Sequence, residues 1–239
     1  MKQALLILLF FGLLPSAWAE PELDTDLLYQ TSKLDDLISG RYDGKIKLST
    51  VKKQGDFGLG TFNRLDGEMV LLQGNFYQIK SDGKAYLLTD AVVKSSKTPF
   101  AAVTFFETDR KAATDQPLNL EQLKTFLDSL LLNKETFYAV KIEGSFQYLK
   151  ARAPLPQKKP YPPIEEAEKT QAVFEFKEVK GTLVGFRCPE SAKGTNFPGY
   201  HFHFLTEDKQ AGGHLLELTT GEISVSIDET PRHQVASEK

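Results

Sequence analysis

Cysteine is nearly absent from this chain: Cys188 is the only one in 239 residues. No intramolecular disulfide can form, so the fold must be stable by packing alone. With no activating base assignable to it, Cys188 reads as a buried filler rather than a nucleophile. Excess charge is missing too, since 29 basic residues face 32 acidic ones for a formal net charge of −3. That balance lacks the basic footprint of a nucleic-acid or anionic-membrane binder. Internal repeats and low-complexity tracts are also lacking, which excludes solenoids and propellers. No apolar run reaches the ~20 residues that a membrane-spanning helix requires.

One shorter apolar run, Ala4 to Leu14, follows Lys2 and precedes Pro15 and the small-residue ending Ala17-Trp18-Ala19. This is the pattern of a secretory signal peptide over residues 1–19. It predicts an exported protein, periplasmic or secreted, with no membrane attachment after cleavage.

Two stretches carry helical periodicity. In TSKLDDLISG, Thr31 to Gly40, a Thr/Ser start, apolar Leu34, Leu37 and Ile38 and a glycine stop predict a short capped helix. From Asn119, a capping residue, Leu120, Leu123, Phe126, Leu127, Leu130 and Leu131 recur at helical spacing. Elsewhere the pattern is strand-like: FGLGTF and EMVLLQGNFYQI flank the turn NRLDG, and YQIKSDGKAYLLT holds a second Asp-Gly turn. AAVTFFE, FYAVKIEGSFQYLKAR and AVFEFKEVKGTLVGFRCP add further strands. The segment PLPQKKPYPPIEEAEKTQ is too rich in proline and charge for either element, so it reads as a linker.

The predicted fold class is α+β, a predominantly mixed β-sheet in two β-rich subdomains with a few short helices. The expected organisation is a signal peptide (1–19), an N-terminal mixed-sheet part (20–153), a Pro-rich linker (154–171) and a C-terminal metal-binding β part (172–239).

Histidine is scarce, yet three of the four lie within GYHFHFLTEDKQAGGH, Gly199 to His214. Side chains alternate along a strand, so His201 and His203 share one face while Phe202 and Phe204 take the other, buried one. TEDKQAGG reads as a hairpin connection whose glycines return the chain and bring His214 beside the pair. Three neutral imidazoles suit zinc, copper, nickel or iron and leave a coordination position free, as catalytic sites do. The remaining histidine, His233, sits in a polar tail and reads as solvated. A rival spacing, His201-x-His203-x3-Glu207, resembles the first metal motif of the cupins, which would make the protein a metal-dependent oxygenase or isomerase. A non-catalytic exported metal-binding module is a third reading.

Several motifs in order, GDFGLGTFNRLDGEM, KTPFAAVTFF, IEGSFQYLKARAPLPQKKPY, GTLVGFRCPE and GYHFHFLTEDKQAGGHLLE, resemble the α-acetolactate decarboxylases from about Leu28 to about Glu217. The resemblance implies a zinc enzyme with His201, His203 and His214 as ligands, Glu68 and Arg152 as catalytic residues and Thr61 near the substrate. Pattern alone singles out neither Glu68, a strand-start residue, nor Arg152, a solvated strand end. The resemblance also implies a homodimer. The family supplies a further C-terminal glutamate, but here ISVSIDETPRHQVASEK departs from its pattern, and Glu238, the only candidate by position, receives no role.

The implied partner is a small keto-hydroxy acid, and the implied reaction is zinc-dependent decarboxylation of 2-acetolactate to acetoin through a metal-bound enediolate. The substrate's hydroxyl and ketone oxygens lie on adjacent carbons, so both can chelate one ion. Charge left by departing carbon dioxide then grows on an oxygen next to a Lewis acid.

Overall fold

The computed structural model describes residues 24–236. The leader-like residues 1–19 and Glu238 lie outside these. No helix among the described residues is long and apolar enough to cross a membrane.

The first part of the chain forms β1 (Leu27–Gln30), α1 (Leu34–Ile38), β2 (Ile46–Lys47), α2 (Leu48–Val51), β3 (Phe57–Thr61), β4 (Glu68–Leu72), β5 (Asn75–Ile79), β6 (Ala85–Leu87), α3 (Asp90–Ser95), β7 (Lys97–Thr98) and β8 (Ala101–Thr104). The rest forms β9 (Arg110–Thr114), α4 (Leu120–Leu130), β10 (Phe137–Ala153), α5 (Ile164–Glu168), β11 (Ala172–Cys188), β12 (Gly199–Thr206), β13 (Gly212–Thr230) and β14 (Arg232–Val235). Of the two large sheets one has the order β14-β1-β8-β3-β4-β5-β6 and the other β10-β11-β12-β13-β9, while β2 and β7 pair as a separate two-stranded ribbon. Because β10 also pairs with β13, the strands β10 to β13 close on themselves. The architecture is the expected α+β arrangement, with β14 in parallel beside β1 and antiparallel pairings elsewhere in both sheets.

Apolar side chains fill three layers. Within the closed strands Phe146, Leu149, Leu183, Phe202 and Phe204 pack with Leu123 and Leu127 of α4. Between the sheets, Phe57, Leu59, Val70 and Ile79 meet Val184, Phe186, Cys188 and Leu205. The outer face of the first sheet carries Met69, Leu71 and Val103 against Leu48 and Val51 of α2 and Val93 of α3. Cys188 is buried, as its reading as a filler required, and burial pushes its thiol up to about 12.

α4 begins where its sequence predicts. Asn119 and Gln122 form a reciprocal capping box, each side chain satisfying the other's backbone N–H. Other expectations need correction. α1 starts at Leu34 behind Lys33, with no side-chain cap. The Thr31 hydroxyl instead accepts from the Ala101 N–H, and the Ser32 hydroxyl donates to the Pro99 carbonyl, so both satisfy the sheet rather than the helix. EMVLLQGNFYQI breaks into β4 and β5, because Gln73 and Gly74 both take positive φ and turn the chain. His233 is not solvated: it lies in β14, with its ring 4.6 Å from that of Phe137 and Nε2 3.2 Å from Gln30 Oε1. The Pro-rich segment holds a helical turn, α5, which buries Ala167 beside Leu37, Tyr42 and Phe100. It does not separate the sheets either, since β10 and β11 on its two sides are antiparallel neighbours.

Candidate active site

β12 and β13 form the hairpin that the histidine spacing predicts, and His203 lies directly opposite His214. His214 in turn lies opposite Arg152 of β10, in a register set by a bulge between Lys150 and Ala151. Residues directly opposite in antiparallel strands share a face. Arg152, His214 and His203 therefore form one row across three strands, with His201 two residues along β12.

The paired glycines act differently from their sequence reading. The return is made by the segment between β12 and β13, where Lys209 takes φ 60° and the Thr206 hydroxyl accepts from the Gln210 and Ala211 N–H groups. Gly212 and Gly213 serve close packing instead: a Cβ on Gly212 would lie 2.1 Å from the Phe204 carbonyl oxygen, and one on Gly213 would lie 2.6 Å from that of Arg152. Gly213 also holds φ at +147°. These contacts draw His214 in beside its neighbours.

One ring nitrogen from each histidine lies within 4.8 Å of the other two. His201 Nε2 and His214 Nδ1 are 3.2 Å apart. Two nitrogens bound to one tetrahedral zinc would be ~3.3 Å apart, so this spacing fits a shared ion. His203 Nδ1 is 2.8 Å from the carbonyl of Met69 in β4 and donates to it, which leaves Nε2 as the lone-pair nitrogen. That Nε2 is buried and makes no hydrogen bond. An orphaned acceptor facing two other imidazoles is what a metal ligand needs, so these residues fit a cation. Burial, reinforced by Arg152 and the neighbouring rings, holds His201 and His214 well below the usual histidine range. Burial brings His203 down to about 4. All three are neutral at pH 7, as coordination requires.

The first sheet supplies the opposite wall. Thr61 and Glu68 are paired across β3 and β4. The Thr61 hydroxyl donates to the Gly67 carbonyl at 2.7 Å, which leaves its lone pairs to accept. Glu68 is buried with Oε2 3.5 Å from His203 Nε2. Burial pushes its carboxyl group up to about 8, against the attraction of Arg152. Glu68 is thus largely a neutral acid at pH 7.

Arg152 is 16 % exposed, not the solvated strand end that its pattern suggested. Its Nη1 donates to Gln171 Oε1 at 2.5 Å and lies 2.7 Å from Glu168 Oε1, while Nε is buried without a partner. Thr61, Glu68, Arg152 and the three histidines line one cavity of about 60 Å³. Its apolar walls include Leu37, Leu65, Phe100, Ile164, Ala167 and Phe197. Sequence reading missed these walls because they come from five separate segments, among them the supposed linker. Glu207 is exposed in the hairpin turn and lines a different hollow, with Glu143 and Glu222. The cupin-like ligand set is therefore not assembled.

A solvated scaffold has no need to bury an acid, a guanidinium and three uncharged imidazoles around one small hollow. Such displaced titrations in a cleft belong to catalysis, and the protein is an enzyme for a small molecule. The family model described as alpha-acetolactate decarboxylase matches residues 28–238. An alpha-acetolactate decarboxylase of Methanosarcina mazei is 49% identical over 206 residues, covering 86% of this chain and 70% of that protein. One from Methylococcus capsulatus is 41% identical over 208 residues, covering 87% of this chain and 78% of that one. The crystal structure of alpha-acetolactate decarboxylase from Bacillus subtilis strain 168 superposes with a TM-score of 0.84 at 38% identity, covering 88% of each chain. This chain belongs to the α-acetolactate decarboxylase family.

Proposed function

We propose that the protein is a carbon-carbon lyase that decarboxylates 2-acetolactate to acetoin, with zinc held by His201, His203 and His214. The observation that carries this reading is the convergence of the His203–His214–Arg152 row and the Thr61–Glu68 pair on one cavity. Zinc held by His201, His203 and His214 would supply a Lewis acid for negative charge developing on the substrate's oxygens.

The chain's own groups account for the rest. Arg152 gripping only the departing carboxylate would favour the ground state, whereas a fixed cation beside the forming enediolate favours the transition state. The proton that the product gains needs a separate donor. Glu68 can be that donor, because it lies beside His203 in the cavity and burial favours the protonated form of its carboxyl group. Carbon dioxide departs without the bonding electron pair, the pair delocalises into the ketone, and one proton delivered to carbon completes acetoin. Thr61 accepts a hydrogen bond from the substrate hydroxyl and so orients it. Leu37, Leu65, Phe100 and Phe197 keep water from competing for these charges. The leader-like residues 1–19 support export, and a fold without disulfides tolerates any redox compartment.

The test is a colorimetric acetoin assay on purified protein with acetolactate, before chelation, after chelation and after zinc return. Activity that falls with the chelator and recovers with zinc is expected. Acetoin formation indifferent to a chelator that strips all metal would overturn the zinc assignment, and none under any condition would overturn the reaction.

A further inference from the structure

Helix α5 places a charged residue where helix formation alone gives no reason for one. Glu168 is its last residue, and a carboxylate at a helix C-terminus opposes the backbone dipole. Glu165 and Glu166 occupy the favourable first turn, and Glu166 pairs outward with Lys169. Glu168 instead turns to the cavity and lies 2.7 Å from Arg152 Nη1. Gln171 Oε1 occupies the same Nη1 at 2.5 Å. Both contacts to this guanidinium come from the segment between β10 and β11, and both use one nitrogen. Nε, on the other side of the planar group, is shut from solvent with no acceptor.

The segment that carries these acceptors is itself anchored. Ala167 is buried against Leu37, Tyr42 and Phe100, the Tyr42 and Tyr161 rings lie 5.2 Å apart, and the Tyr161 hydroxyl donates to Asp43 at 2.8 Å. Glu168 therefore reaches Arg152 from a fixed base. A guanidinium held at one nitrogen by two acceptors is fixed in direction and keeps its remaining donors free for a ligand.

We propose that Glu168 is a positioning residue of the active site, which with Gln171 pins Arg152 by Nη1 so that its remaining N–H groups serve the reacting anion. The proposal rests on the decarboxylase reading above. Glu168 is not assigned contact with the substrate and acts through Arg152.

The test uses the zinc-loaded wild-type enzyme, Glu168→Ala, Glu168→Gln, Arg152→Lys and the two double variants. Glu168→Ala is expected to lower kcat about 10-fold or more while changing KM by less than about 3-fold, as misorientation rather than lost affinity predicts. Glu168→Gln keeps an acceptor and should recover at least about a third of wild-type kcat. With Arg152→Lys in place, adding Glu168→Ala should cost no more than about 2-fold, because the partner it orients is gone. Zinc content and Tm should match wild type. An arm independent of turnover follows modification of Arg152 by phenylglyoxal with mass spectrometry, expected to be at least about 5-fold faster in Glu168→Ala.

A kcat within twofold of wild type, a lower KM with a higher kcat, an equal loss in the Arg152→Lys background, or unchanged phenylglyoxal kinetics would each overturn the proposal. The second of these would make Glu168 a competitor of the substrate for Arg152. A wild-type protein that forms no acetoin would refute the reaction, and the modification arm would still decide the positioning.

Discussion

Replacing Glu68 by glutamine perturbs the group whose burial is least comfortable. Glu68 is 8 % exposed, and its carboxyl titration moves from 4.5 to about 8, chiefly through burial. In the unfolded chain it titrates near 4.5, so between those values folding takes up a proton. Stability from this group is full below about pH 4.5 and is lost as pH rises through about 8. A shift of roughly 3.5 units at about 1.36 kcal/mol each gives a ceiling of ~5 kcal/mol, which relaxation and water entry should reduce to ~2–3 kcal/mol. Glu68→Gln keeps the shape and removes the charge. The chelator-treated variant should therefore match wild type near pH 4.5 and exceed it by that margin at pH 9, as read from urea unfolding. The histidines titrate in both proteins, so the difference isolates Glu68. In the zinc-loaded enzyme the same change should lower the rate of acetoin formation by ~10²–10⁴-fold, the usual weight of a proton donor. Parallel stability curves at all pH values would refute the burial argument, and an unchanged rate would remove Glu68 from the chemistry.

Arg152→Lys keeps the charge but loses the planar fork, and a fall of ~10²-fold in kcat with zinc retained is expected in steady-state assays with metal analysis. Gly185→Ala would place a Cβ 2.2 Å from the Phe202 ring and 2.3 Å from the His201 carbonyl oxygen, so the histidine strand must move. A stability loss of ~1–3 kcal/mol by thermal denaturation, with weaker zinc retention, is the expected result. Asp228 lies far from this chemistry, with burial pushing it up to about 8 while it accepts from the Glu107 N–H. Asp228→Asn should be stabilising above pH 8 and neutral near pH 4, with acetoin formation unchanged, as denaturation at the two pH values and the assay will show.

The sequence disclosed the parts of this design that rest on short-range periodicity. Alternation along GYHFHF put both imidazoles on one face, and the apolar repeat after Asn119 marked α4 together with its cap. Parts that depend on distant segments meeting were not legible that way. Nothing local to LDGE shows that Glu68 will be buried against His203, because the burial comes from β4 docking on β12, far away in the chain. The resemblance to a family, not the pattern, named Glu68, Arg152 and Thr61. α5 was hidden for a different reason. Its single turn is too short for periodicity to register, and its prolines and charges look like solvent-facing chain until Ala167 and Glu168 are seen turned inward.

The hydrogen bond from His203 to the Met69 carbonyl joins one layer of the molecule to the other at the proposed catalytic site. Acid and hydroxyl ride on one slab, imidazoles and guanidinium on its neighbour, and side-chain interdigitation with a few cross-links such as the Ala85 N–H to the Gln210 carbonyl keeps the halves aligned. Catalysis is thus a gauge of that alignment. Gentle denaturant that lets the slabs slide by a fraction of an ångström should silence turnover while the strands themselves still hold their hydrogen bonds.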